Sequence, residues 1–402
     1  MFNALNKNAK VLNKNKKPQK NIVINLKHLS KKPVYNSNTR VFTKDLYMYY
    51  RGKKKGAQNG GQYNKNNLIK RINNYQLLSK KIALLRNDDC LEKKTFKGFE
   101  GYTIRNIINL EKKIGTKSKY ASIYLTGVPN FHIPFPIATK VMKYNYSNVN
   151  EINIMLIITR LLILTKISRH FLMIYGHCTC SNIIDERLKL ISINELADGD
   201  LKMLINTRKV LIDNELILNI LFQTFISIAT FHNSVGYIHR DAHYGNFLYQ
   251  QNSEIGYYHY KFNDKDYYLK SCKYNIIIYD YGFAKEINKY STDTDFIKKQ
   301  NKYIYGDYYK IIHAFINKKN GGWITNRNLP DMNITKIILD ITSIIYNNIY
   351  TEVYYEKKNS IPYTFRIFAN IIDNVFLKYT PPGMFITQRP PNVINNPPFK
   401  IG

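Results

Sequence analysis

Apolar residues recur at spacings of three and four through Leu68, Ile72, Tyr75, Leu78, Ile82 and Leu85. That period predicts an amphipathic helix over residues 68–87, with Lys70, Arg71, Lys80 and Lys81 on its other face. Packing against the β-rich region that follows is preferred over lying on an anionic surface. Residues 152–167 form the longest apolar run, interrupted by Arg160 and Lys166, and read as a buried helix too short to span a membrane. Residues 216–232 are apolar on nearly every face, the pattern of a helix surrounded by core. Shorter apolar runs at 137–140, 170–175, 188–193 and 276–278 read as strands, and 311–315, 334–349 and 364–379 as further helices. Residues 250–273, rich in Tyr, Lys and Asp, read as an extended surface hairpin. Six of the thirteen prolines fall after Thr380, so 381–402 is expected to be an extended or irregular tail. Residues 1–67 lack periodicity, carry glycine-rich linker-like stretches at 51–56 and 60–61, and hold a candidate short strand at 22–26. No internal repeat is evident.

Charge changes this picture at one end. The formal net charge is +32, and residues 1–86 hold 21 Lys or Arg against a single acid, Asp45. Such a segment attracts nucleic acid, acidic proteins or anionic lipid, or is simply a solvated tail. The four cysteines, Cys90, Cys178, Cys180 and Cys272, form no C-x-x-C pair. Their low count fits a reduced, cytosolic compartment. His177-Cys178-Thr179-Cys180 has no second cluster to complete a tetrahedral metal site. The N-terminus lacks the apolar core of a signal peptide.

The candidate chemistry lies in two stretches. His239-Arg240-Asp241-Ala242-His243-Tyr244-Gly245-Asn246 fits H-R-D-x-x-x-x-N at all four fixed positions. Ile276-Ile277-Ile278-Tyr279-Asp280-Tyr281-Gly282 is an apolar strand followed by D-x-G. In this order, after a buried helix and a buried strand, they resemble the catalytic loop and metal-binding turn of eukaryotic-like protein kinases, and most of all the divergent Ser/Thr kinases of giant DNA viruses. Upstream, Ile137-Ala138-Thr139-Lys140 answers the V-A-I-K pattern of the third strand of that family. Residues 114–124 stand where its glycine-rich loop belongs, but only Gly115 survives of the three glycines, with Lys117 and Lys119 as added charge.

The resemblance covers about residues 95–380. It implies an α+β, two-lobed kinase-like fold: a small lobe at 95–194, a hinge at 195–199 and a larger helical lobe at 200–380. A basic, largely disordered extension at 1–94 precedes it, and the proline-rich tail at 381–402 follows. It further implies ATP and Mg2+ as cofactors. Asp241 would be the catalytic base, and Asn246 and Asp280 metal ligands. Lys140 would hold the α- and β-phosphates, with Gly115 beside them. Glu151, the one acidic residue between Lys140 and Ser181, would position Lys140; a glutamate in the first turn of a helix also suits the helix dipole. Backbone groups of Glu195 and Ala197 would bond the adenine edge, although 195–201 also reads as a turn and a helix N-cap. Arg240 would receive a phosphate placed on Ser291, Thr292 or Thr294. Asp307 would bond back to the catalytic loop from the start of a helix near Gly306.

The implied activity is transfer of the ATP γ-phosphate to Ser or Thr of protein substrates, in host cytoplasm or virion. Two departures keep other readings open. The Lys that Ser/Thr kinases carry two residues after the catalytic Asp is replaced by His243, and no A-P-E follows. His243-Tyr244-Gly245-Asn246 also resembles small-molecule phosphotransferases of the aminoglycoside and choline kinase type. The degraded glycine-rich loop suits a pseudokinase scaffold that binds acidic partners through its basic N-terminal region.

Overall fold

The computed structural model describes residues 67–84, 91–96, 98–114, 121–129, 137–180, 189–316, 331–349 and 361–402. The candidate strand at 22–26, the linkers at 51–61 and the Gly115 loop lie outside the described residues. The chain is mixed α+β, with a β-rich N-terminal region and a mainly helical C-terminal part. It divides into two compact units, the first containing Ile69–Thr159 and Leu172–Leu196, the second Arg160–Phe171 and Ala197–Gly402.

The first unit begins with α1 (Leu68–Ile82). There follow β1 (Leu91–Phe96), β2 (Phe99–Ile104), β3 (Ile108–Ile114), β4 (Ala121–Gly127) and β5 (Ile137–Lys143). Helix α2 (Tyr146–Ile158) runs into a wider turn at Thr159–Ile163, and β6 (Ile174–Cys180) and β7 (Lys189–Glu195) complete the unit. Among the described residues the seven strands form one antiparallel sheet, ordered β1-β2-β3-β4-β5-β7-β6. Leu78 and Ile82 of α1 pack into its core with Ile104, Leu110, Val141 and Ile191. The close approach needs a glycine: a Cβ on Gly176 would meet Ile82 Cγ2 at 2.7 Å. Strand β1 begins at Leu91, so the boundary read at residue 95 falls inside it.

Arg71 does not lie on the solvent face read for it. It is buried, and its guanidinium grips the buried Glu195 carboxylate at 2.7 and 2.8 Å. Helical spacing explains the difference, because residues 71, 75, 78 and 82 share one face. Glu151 is also displaced from its expected position. Asn145 caps α2 by accepting the Asn148 N–H at 2.9 Å, which puts Glu151 in the second turn, away from the helix terminus.

The second unit contains β8 (Gly199–Asp200), α3 (Leu201–Ile205), α4 (Arg208–Leu211) and α5 (Asn214–Thr230). Then come β9 (Tyr237–Ile238), β10 (Phe247–Gln251), β11 (Tyr257–Phe262), β12 (Lys265–Lys270), β13 (Tyr274–Ile278) and β14 (Lys285–Glu286). It closes with α6 (Thr294–Ile316), α7 (Met332–Ile344), α8 (Tyr363–Ile371), α9 (Leu377–Tyr379), β15 (Phe385–Ile386) and β16 (Phe399–Lys400). Asp213 caps α5 through the Leu216 N–H at 3.0 Å, and Gly236 ends the following wide turn at φ +82°. Asn214–Val235 is, among the described residues, the one stretch long and apolar enough to cross a membrane, and it is mostly buried inside the protein. Its rings build the core: Phe222 stacks on Phe376 at 4.0 Å, with Phe225 and Phe385 beside them.

The hairpin read at the surface is largely internal. Strands β11 and β12 pair across a two-residue turn, Asn263 and Asp264, both at positive φ, the geometry that matches strand twist. Tyr258, Tyr260, Tyr267 and Tyr268 are buried. The proline-rich tail supplies the cover. Strand β15 joins β12, and β16 runs parallel to β11 with Phe399 opposite Tyr260, giving the order β15-β12-β11-β16. The apolar run at 170–175 also differs: β6 starts at Ile174, and Phe171 forms a single bridge with Ile278.

Candidate active site

In the first unit, β5 carries Lys140 opposite Ser192 of β7, flanked by buried neighbours. Its Nζ donates to both Glu151 carboxylate oxygens, at 2.7 and 2.9 Å. Both side chains are buried, so the pair is desolvated and each charge is held by the other. Glu195 ends β7, its N–H donates to Met173 O at 2.9 Å, and Arg71 occupies its carboxylate. The two units divide between Leu196 and Ala197, inside the segment read as a hinge. Asp200 accepts the Met203 N–H at 2.7 Å and caps α3, as the plainer reading of that stretch expected.

In the second unit the loop after β9 is held from three sides. Asp307 Oδ2 accepts the His239 N–H at 2.8 Å and His232 Nε2–H at 2.9 Å, while Oδ1 accepts the Arg240 N–H at 2.9 Å. Asp307 sits in the middle of α6, not near a helix start; Asp293 caps that helix through the N–H groups of Asp295 and Phe296. Arg240 is at φ +67°, a conformation unfavourable for a bulky side chain, and the carboxylate behind it holds the strained peptide. Its buried Nε has no hydrogen-bond partner, and the guanidinium lies over the Tyr303 ring, 4.7 Å from the centroid.

Asn246 closes the other end of the loop. Its Nδ2 donates to the Asp241 carbonyl at 2.9 Å and to Asp241 Oδ2 at 3.2 Å, which leaves Oδ1 as the atom not engaged in that clamp. Strand β13 then delivers Asp280. Phe247 pairs with Ile278, the Tyr279 N–H donates to Asn246 O at 2.9 Å, and His239 Nε2–H donates to Tyr279 O at 2.9 Å. Tyr279 is thus pinned between the two ends of the loop, and Asp280, at φ +64°, follows directly. His239 lies among the acids: burial lowers its pKa, while Asp307, Asp280 and Asp241 each pull it upward. Asp241, Asn246 and Asp280 therefore gather in one region of the second unit.

Among the described residues no group of three or more His, Cys, Asp or Glu side chains is arranged as a metal site. Magnesium asks for less: a few hard oxygens, with water and phosphate completing the octahedron. The Asp280 carboxylate and Asn246 Oδ1 are hard oxygens of that kind. The Cys178 thiol, by contrast, is buried and pushed up to about 12, which suits a core residue better than a thiolate ligand. Compared with known proteins, the chain matches no family model and no curated sequence.

Three relationships were not read from the sequence: the Arg71–Glu195 pair, the double clamp on Tyr279, and Lys310. Lys310 Nζ donates to Arg240 O at 2.5 Å and lies 4.0 Å from Asp241 Oδ1. Its signal was present as helical spacing, since residue 310 lies one turn beyond Asp307 on the same face.

Proposed function

We propose that this protein is a protein-kinase-like phosphotransferase, its first and second units corresponding to the small and large lobes of that fold, which moves the γ-phosphate of ATP to Ser or Thr hydroxyls of protein substrates. The observation that carries the reading is the clamp on Tyr279, which brings Asp280 to the Asp241–Asn246 loop. The buried Lys140–Glu151 pair supports it independently, because the family pattern asks for a lysine and a helix glutamate in contact.

Magnesium, when bound, would neutralise phosphate charge, held by Asn246 and Asp280. Lys140 would hold the α- and β-phosphates, oriented by Glu151. Asp241 would take the proton of the acceptor hydroxyl. That oxygen forms its bond to the γ-phosphorus as the bond to the β,γ-bridging oxygen breaks, and the electron pair leaves on the ADP oxygen. Arg240, with a buried Nε lacking a partner, would receive a phosphate on Ser291, Thr292 or Thr294.

His243 favours a second reading, a small-molecule phosphotransferase. Its Nδ1 accepts the Gly245 N–H at 3.0 Å, and an imidazole there replaces the permanent cation of Ser/Thr kinases. Incubation with radiolabelled ATP and a basic protein mixture, then with aminoglycosides or choline, separates the two. Label on protein that disappears in Asp241→Asn supports the kinase reading. Label on the small molecules alone supports the second, and no label anywhere contradicts both.

A further inference from the structure

The family pattern places a lysine two residues after the catalytic Asp, where this chain has His243. His243 Nε2 faces Asp241 Oδ2 at 3.6 Å and its Nδ1 accepts the Gly245 N–H, but an imidazole is not the permanent cation that a lysine would be. A cation nevertheless reaches Asp241 from elsewhere. One face of α6 holds residue 240 through both of its backbone polar groups: Asp307 accepts the N–H and Lys310 donates to the C=O. The carbonyl holds the ammonium, which then sits 4.0 Å from Asp241 Oδ1. Lys310 remains half exposed, so its Nζ is open to an incoming group.

We propose that Lys310 is the catalytic cation of the transfer step, supplied from α6 in place of the lysine missing from the loop. This inference rests on the phosphotransferase reading above. As the acceptor oxygen bonds to phosphorus and its proton passes to Asp241, negative charge spreads over the three γ-phosphoryl oxygens. The Lys310 ammonium offsets that charge and keeps its own proton. A preorganised charge of this kind matters most when the phosphoryl group is in transit, so it acts on kcat more than on ground-state binding.

The alternative is that Lys310 merely braces the Arg240 carbonyl. Full-length Lys310→Met and Lys310→Arg separate the two roles, with melting curves confirming that each is folded. The expected result for Lys310→Met is a kcat at least about tenfold lower, with KM for ATP within about twofold of wild type. Calorimetry adds a readout that needs no turnover. Magnesium–ADP should bind Lys310→Met as it binds wild type, whereas magnesium–ADP with aluminium fluoride, which mimics the phosphoryl group in transit, should bind at least about tenfold more weakly. Lys310→Arg, which keeps the charge, should recover most of both losses. Equal affinity of wild type and Lys310→Met for the aluminium fluoride complex overturns the assignment of Lys310 and leaves the phosphotransferase reading standing. A wild-type protein that binds no nucleotide overturns both.

Discussion

Asp307 accepts the backbone N–H of Arg240 at 2.9 Å although the two are 67 residues apart, and Arg240 sits at φ +67°. The same carboxylate takes the His239 N–H and the His232 ring. One side chain in α6 thus answers three buried donors and sets the backbone from which Asp241 projects. Replacing it with Ala leaves those donors without an acceptor and releases a strained residue. Asp307→Ala is expected to lose about 3–5 kcal/mol of unfolding free energy. Asp307→Glu, which retains the charge but not the reach, should fall between that variant and wild type. Chemical denaturation measures both.

His239 makes the same region sensitive to acid. Its ring donates from Nε2 to Tyr279 O and accepts at Nδ1 from the Asp241 N–H at 3.3 Å, a pair of contacts only the neutral form can make. Burial holds its pKa below the ordinary 6.5, against the pull of Asp307, Asp280 and Asp241. Below that value the unfolded chain takes up a proton that the folded one resists. Stability is therefore fully present above it and falls as pH drops toward the folded pKa, by up to about 1.4 kcal/mol per pH unit. Denaturant midpoints at about pH 7.5 and about pH 5.5 should show a larger acid loss in wild type than in His239→Gln. Equal losses would contradict the assignment.

The proline-rich tail is part of the second unit's sheet, and Phe399 is buried against Tyr258 and Tyr260. Phe399→Ala is expected to cost about 3–5 kcal/mol of stability. An appendage would cost nothing, so a single melting comparison decides between them.

How legible this was in the sequence depended on whether a signal was local. The helix ending near His232 could be read because nearly every position is apolar, and the Asp241–Asn246 spacing because five residues of loop carry it. Arg71 reads as solvent-facing because its partner lies 124 residues away on β7, and no local pattern announces a buried guanidinium. Gly306 reads as a breaker and hence as the start of α6, whereas Asp293 caps the helix more than a dozen residues earlier. Strands β15 and β16 are two residues long among prolines, so neither period nor propensity marks them; they exist because β11 and β12 offer open edges. Lys310 belongs to no local motif, because a motif is read along the chain while the charge near Asp241 arrives from a helix 69 residues on.

The central claim is that Asp280 and Asn246, set beside Asp241, hold a divalent ion for a nucleotide. Asp280→Asn tests it cleanly, because asparagine tolerates the left-handed backbone at that position and removes only the charge. Calorimetric titration of the full chain with ATP, with and without magnesium, is the direct measurement. The account predicts that magnesium tightens wild-type binding at least about tenfold, about 1.4 kcal/mol, and that Asp280→Asn loses this gain. Wild-type binding indifferent to magnesium, or an Asp280→Asn variant that keeps the full gain, would contradict it.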